Sequence, residues 1–236
     1  MSLVKQLASV IDMSMLHPTL RQEEIERGCM EAVRWGFACV FVLPCWVKFA
    51  SKLLYEGSVA VGTVVGFPLG GNESSVKAFE TKKAIHDGAS EIDMVINIGM
   101  LKSGNDEAVI DDIKAVVEAA REASENVGSK APLIKVILET GYLSEDEIRR
   151  ACELAMASGA DFVKTSTGFG PKGATVDDVR LMRRVVGNKM RIKAAGGIRT
   201  LHQTLELLDA GADRIGTSHA VDILREAQQH SAQEVD

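Results

Sequence analysis

The chain has 236 residues, 46% of them apolar and 25% charged, with a formal net charge of −6. That is enough to bury a full core, as one large barrel or two smaller domains, and the lack of a basic excess argues against nucleic acid as a partner. The opening MSLVKQLASVID has neither the long apolar region of a signal peptide nor about 20 apolar residues for a membrane helix, so a cytoplasmic protein with no membrane partner is expected.

Along the chain, apolar runs of strand length alternate with longer segments of helical period. Strands are predicted at residues 10–13, 39–42, 60–66, 91–97, 133–139, 161–165, 191–195 and 214–216. Helices are predicted between them at 21–35, 74–87, 106–125, 144–158, 176–186 and 201–208, with a further one after residue 218. Ser144 followed by Glu147 reads as a capping box, and Gly36, Gly88, Gly159 and Gly211 stand where helix C-termini need a left-handed residue. Asp87-Gly88-Ala89, Ser158-Gly159-Ala160 and Ala210-Gly211-Ala212 recur before the fourth, sixth and eighth strands. Eight βα units without linker or GxGxxG fingerprint predict an α/β fold, a single (β/α)8 TIM barrel over residues 1–236, rather than a doubly wound sheet. Active sites of such barrels lie at the C-terminal strand ends, which makes those ends the candidates.

The sixth strand and its exit, DFVKTSTGFG, put Lys164 where a buried strand wants an apolar side chain. A buried ammonium loses its hydration, so Lys164 is either a neutral nucleophile or an ammonium that reaches the rim or a carboxylate. The fourth strand, EIDMVIN, alternates Glu91, Asp93, Val95 and Asn97 with Ile92, Met94 and Ile96, and the polar set is expected to point inward. Asp93 is then the natural partner of an interior lysine, whether catalytic or merely structural. The seventh strand, RIKAAGGI, adds Lys193, and two ammonium groups on neighbouring strands disfavour each other's charge, as a Schiff-base lysine requires. Lys135 in the fifth strand, with Glu139 further along the same face, is expected to form an internal salt bridge.

Gly196-Gly197-Ile198-Arg199 and Gly216-Thr217-Ser218 each precede a helix, and Gly168 and Gly170 follow the sixth strand. Glycine loops and helix N-termini after strands seven and eight form a common phosphate site of this fold. No metal is expected, because His17, His86, His202, His219 and His230 show no HxxxH or HxH spacing. Cys29, Cys39, Cys45 and Cys152 form no CxxC pair and read as reduced core residues.

These residues carry a resemblance. Ile11-Asp12, GFPLG at 66–70, VKAFE at 76–80, EIDMVIN at 91–97, KVILET at 135–140, KTSTGF at 164–169 and KAAGGI at 193–198 together resemble the deoxyribose-phosphate aldolase family, class I aldolases on a barrel. The resemblance implies Lys164 as the Schiff-base lysine, Lys193 as the lysine that lowers its pKa, and Asp93 as the acid/base. It also implies a substrate- and phosphate-binding set of Asp12, Ser14, Leu16, Thr167, Gly168, Gly196, Gly197, Gly216 and Ser218. The implied reaction is reversible cleavage of 2-deoxy-D-ribose 5-phosphate to D-glyceraldehyde 3-phosphate and acetaldehyde, in deoxynucleoside catabolism. It needs no metal or organic cofactor, and the protein is expected to be a homodimer or higher homo-oligomer.

The chain departs from that pattern at its first two strands. Met13 and His17 replace the family's His and Lys, Ser14 keeps a hydroxyl, and Leu43 stands before Pro44 where many members carry Asn. These positions bear on substrate preference. Two alternatives stay open: a lysine-dependent aldolase for another phosphorylated sugar, and a silent barrel that only binds sugar phosphates.

Overall fold

The eight apolar runs all become strands, and the computed structural model, which describes residues 2–55 and 57–233, closes them into one barrel in sequence order. They are β1 (Ile11–Met15), β2 (Cys39–Val42), β3 (Ala60–Val65), β4 (Glu91–Val95), β5 (Leu133–Ile137), β6 (Phe162–Lys164), β7 (Arg191–Ala195) and β8 (Arg214–Thr217). All pairs are parallel, and Ile11 pairs with Ile215 to close β8 onto β1, which leaves no open edge.

Parallel neighbours require a crossover, and helices supply it. Before the barrel comes α1 (Leu3–Ala8); α2 (Gln22–Trp35), α3 (Val47–Leu53) and α4 (Ser74–His86) follow the first three strands. Next come α5 (Ile98–Lys102) and α6 (Asp106–Asn126) after β4, then α7 (Glu145–Ala157), α8 (Val176–Val186), α9 (Leu201–Asp209) and α10 (Ala220–Gln233) after the remaining strands. The sequence reading misses α1, α3 and α5, which are too short to display a helical period. At α7 the capping box is present: Ser144 Oγ accepts from the Glu147 amide at 3.3 Å and Glu147 returns the bond to the Ser144 amide at 2.8 Å. Gly88, Gly159 and Gly211 take φ of 105°, 79° and 111°, so each recurring glycine turns the chain from a helix into the next strand.

The two-residue strand period sorts the side chains. Val40, Val42, Ile92, Met94, Val136, Val163, Ile192 and Ile215 join the apolar layer between sheet and helices. Asp12, Phe41, Glu91, Asp93, Lys135, Lys164, Lys193 and Arg214 belong to the interior row, as their mutual contacts show. Part of the VKAFE segment fixes the strand ends that carry this row. Buried Lys77 pairs with Asp112 at 2.5 Å and donates to the Val95 carbonyl at 3.0 Å, while Glu80 accepts from the Gly66 amide at 2.8 Å.

Candidate active site

Lys164 on β6 and Lys193 on β7 are direct cross-strand partners, so their side chains enter the barrel side by side. Both reach the same oxygen: Asp93 Oδ2 on β4 accepts from Lys164 Nζ at 2.7 Å and from Lys193 Nζ at 2.8 Å. Asp93 is fully buried and Lys164 is 3% exposed. Lys193 also pairs with Asp12 at 2.7 Å, and Lys135 with Glu91, with Asp93 at 3.2 Å and with Asp12 at 3.9 Å. Arg214 on β8 pairs with Asp12 and Glu91.

The layer thus holds four cationic side chains against three carboxylates. In a dry interior the surplus charge is relieved most readily by loss of one proton. Among the described residues Lys135 touches three carboxylates and Lys193 two, whereas Lys164 touches Asp93 alone, which makes it the least compensated ammonium. Burial is the largest influence on Lys164; opposed by the Asp93 carboxylate and reinforced by Lys193 and Lys135, it brings the amine down to about 8. For Asp93, burial favours the neutral acid, but Lys135, Lys164 and Lys193 outweigh it and hold the carboxyl well below its usual range.

Above this layer opens a cavity of about 940 Å³. Its walls include Lys164, Lys193, Asp12 and Ser14 on the strands and the loops bearing Leu16, Thr167, Gly168, Gly196, Gly197 and Ser218 above. Gly168, Gly196 and Gly197 have φ of 88°, 90° and 75°. A Cβ on Gly196 would lie 3.3 Å from Ser166 Cβ and 3.5 Å from Gly168 Cα, so the loops after β6 and β7 meet closely through glycine. The arrangement sets a poised amine and a fixed carboxylate at the base of an open, glycine-rimmed chamber, which suits carbonyl chemistry on a small anionic substrate.

Residues 7–226 match the family model described as DeoC/LacD family aldolase. The chain belongs to this aldolase family. It is 53% identical over 225 residues to the deoxyribose-phosphate aldolase of Thermococcus kodakarensis, covering 94% of this chain and 97% of the relative. The corresponding enzyme of Carboxydothermus hydrogenoformans is 50% identical over 220 residues, with 93% and 94% coverage. A solved deoxyribose-phosphate aldolase from Aeropyrum pernix, described as a unique tetrameric structure, matches with a TM-score of 0.87 at 32% identity, over 96% of this chain and 93% of that one.

On this aldolase frame several sequence expectations need correction. Lys135 does not pair with Glu139, because β5 ends at Ile137 and Glu139 takes a left-handed φ of 57°. Its carboxylate turns to the next loop instead, accepting from the Thr167 hydroxyl and from the Thr167 amide at 3.2 Å. Asp12, expected in the substrate- and phosphate-binding set, lines the cavity as a buried carboxylate pinned by Lys193 and Arg214, a charge that suits the sugar end of a substrate rather than a phosphate. Gly216 serves space first, since a Cβ there would stand 2.9 Å from Lys193 Cε and 3.0 Å from Ala195 Cβ. Around the start of α9 the amides of Arg199, Leu201 and Gln203 already donate to Gln203 Oε1, Glu226 Oε2 and Thr200 Oγ1. Cys45 is exposed rather than part of the core.

The family departures also resolve into places. Met13 packs on the helix side of β1, near Gly28 of α2, and is not in the inward row with Asp12 and Ser14. His17 is exposed and its Nδ1 meets the Thr19 hydroxyl at 2.8 Å. Leu43 packs with Leu16, Phe41 and Val64 into an apolar cluster on one side of the barrel. Sequence reasoning missed Arg214 and Phe41. Arg214 is legible in hindsight from its period-two spacing to Gly216, whereas nothing polar marks Phe41. Asp12, Cys39 and Glu91 come within 4.8 Å of one another, but Lys135 and Arg214 already neutralise the carboxylates, and burial drives the Cys39 thiol well above its ordinary value.

Proposed function

We propose that the chain is a class I aldolase that cleaves 2-deoxy-D-ribose 5-phosphate reversibly to D-glyceraldehyde 3-phosphate and acetaldehyde, through an imine on Lys164. The observation that carries this reading is the Asp93 oxygen shared by Lys164 and Lys193, two lysines that line the cavity. It gives a lysine lowered to about 8, with a working neutral fraction near pH 7, beside one that stays paired to two carboxylates.

Neutral Lys164 attacks the C1 aldehyde, and loss of water gives a protonated imine. C1 and C2 leave as acetaldehyde, so the bond that breaks is C2–C3. Its electron pair flows into the imine as an enamine while the C3 hydroxyl gives up its proton and becomes the aldehyde of the triose phosphate. Asp93, held as a carboxylate, accepts protons and passes them on with solvent. Protonation of the enamine at C2 and hydrolysis release acetaldehyde and restore the amine. The iminium is the electron sink, so this route needs no metal or organic cofactor.

Gly168, Gly196, Gly197 and Ser218 line the cavity, which supports a phosphate subsite there with Thr167 behind it held by Glu139, and Ser14 and Leu16 belong to the sugar side in this reading. The unit acts as one catalytic domain, in the cytoplasm, as a homodimer or higher homo-oligomer; exposed Leu69 (75%) and Phe79 (70%) are apolar surface that an interface would cover. The test is borohydride reduction with acetaldehyde followed by peptide mapping. An adduct of about 28 Da on Lys164, absent from Lys135 and Lys193, together with cleavage of 2-deoxyribose 5-phosphate, is expected. A folded protein with no such adduct would leave the non-catalytic sugar-phosphate barrel as the reading.

A further inference from the structure

Phe41 is an aromatic side chain set against the charged layer, and the aldolase chemistry itself has no use for it. It lies on β2 in register with Ser14 of β1 and Gly62 of β3, and is 1% exposed. Its ring centroid lies 3.5 Å from Lys193 Nζ, 4.5 Å from Lys135 Nζ and 5.8 Å from Lys164 Nζ. The ring's position depends on the neighbouring strand β3. A Cβ on Gly62 would fall 2.5 Å from the ring Cζ and 2.7 Å from both Cε atoms. Glycine in the middle of a strand weakens it, and no turn requires one there, so the lost side chain makes room for the ring.

An aromatic face attracts a cation strongly at short range, and the attraction fades by about 6 Å. The three lysines are therefore ranked by the ring: Lys193 sits on its face and Lys164 at the limit of its reach. Asp12 also separates the two lysines, pairing with Lys193 at 2.7 Å, and the ring acts in the same direction as that carboxylate. Asp93 of β4 is shared with Lys164 and Lys135, Asp12 of β1 with Arg214 of β8 and Lys135 of β5, and Glu91 of β4 pairs with Lys135 and Arg214.

The geometry points to Phe41 as a positioning residue for the proton of this site: its ring face holds the Lys193 ammonium, so that the amine left neutral is Lys164. This rests on the imine reading of Lys164. An uncharged Lys193 would cease to repel the Lys164 ammonium, and the nucleophile would stay protonated to higher pH.

The experiment replaces Phe41 with difluoro- and pentafluorophenylalanine, which keep shape and dryness while draining negative charge from the ring face. The readout is the pH midpoint for trapping acetaldehyde on Lys164 with cyanoborohydride, alongside the acid limb of kcat/KM. The midpoint should climb stepwise with fluorine content, by about one unit for the pentafluoro ring, which is roughly a tenfold loss at pH 7 that is regained near pH 9. Phe41→Leu should shift the same way, but it also admits water, so the fluorinated series decides. A folded pentafluoro variant whose adduct still forms on Lys164 with an unmoved midpoint overturns the role of the ring and leaves the imine intact. Absence of an adduct on Lys164 in the native protein overturns both.

Discussion

Replacing Lys193 with methionine removes one ammonium while keeping much of the side chain's length and the dryness of the layer. Lys164 and Lys193 lie 2.7 and 2.8 Å from the same Asp93 oxygen, so their nitrogens are no more than about 5.5 Å apart. At an effective dielectric of about 20, two unit charges at that distance repel by about 3 kcal/mol, or about two pKa units. Without Lys193, Asp93 also turns more fully to Lys164, which acts in the same direction. Lys164 should therefore move from about 8 to roughly 10. The neutral amine is the active form, so activity rises with pH through this value, and raising it pushes the acid limb upward. At pH 7 the neutral fraction falls from about one tenth to about one thousandth, so Lys193→Met should lose about 100-fold in kcat/KM at pH 7 and regain most of it above pH 10. The assay is acetaldehyde release from 2-deoxyribose 5-phosphate between pH 6 and 10.5. A folded variant whose acid limb stays at the native midpoint would refute the repulsion argument.

Other perturbations follow from the same charge layer and the rim above it. Lys164→Leu should abolish turnover yet leave three cations against three carboxylates. Because the folded value of Lys164, about 8, lies below the unfolded value, its burial costs up to about 3 kcal/mol below pH 8, a cost that fades as pH rises past about 10. The variant's melting temperature at pH 7 should thus equal or exceed the native one; a fall of several degrees would contradict this. Gly216→Ala should cost about 1–3 kcal/mol in urea unfolding and lower kcat, since the new methyl meets the shaft of Lys193 at 2.9 Å; unchanged values of both would show that the lysine has slack. Ser218→Asp should raise KM for the phosphorylated sugar roughly 100-fold through like-charge repulsion while barely touching unphosphorylated deoxyribose. Equal losses for the two substrates would remove the phosphate from that loop.

Much of the fold was written locally. A strand period of two and a helix period near 3.6 do not depend on what lies opposite, so the eight strands emerge within a few residues of their predicted bounds. The shortfalls have local causes too. The fourth strand stops at Val95 because Asn97 caps α5, accepting from the Met100 amide at 3.1 Å, and the fifth stops before Glu139 because that residue turns left-handed. Lys164, Lys193 and Asp93 could be singled out because a charged residue inside an apolar run is anomalous on one strand alone.

What pairs with what was a different matter. Sequence order says that β6 and β7 are neighbours, but only closure of the barrel brings Asp93 across to both lysines and Arg214 to Asp12. The Lys135–Glu139 expectation failed for this reason: spacing along a strand ranks near neighbours, whereas the interior lets Lys135 choose carboxylates from β1 and β4. Phe41 and Gly62 show the same limit, as neither a buried phenylalanine nor a strand glycine is notable until register sets one against the other. The sequence by itself determined the strands, the inward rows and the charged residues within them, because these follow from chain periodicity and the cost of burying charge. The tertiary structure decided which lysine is left least compensated, because that depends on distances across the barrel, which no local pattern encodes.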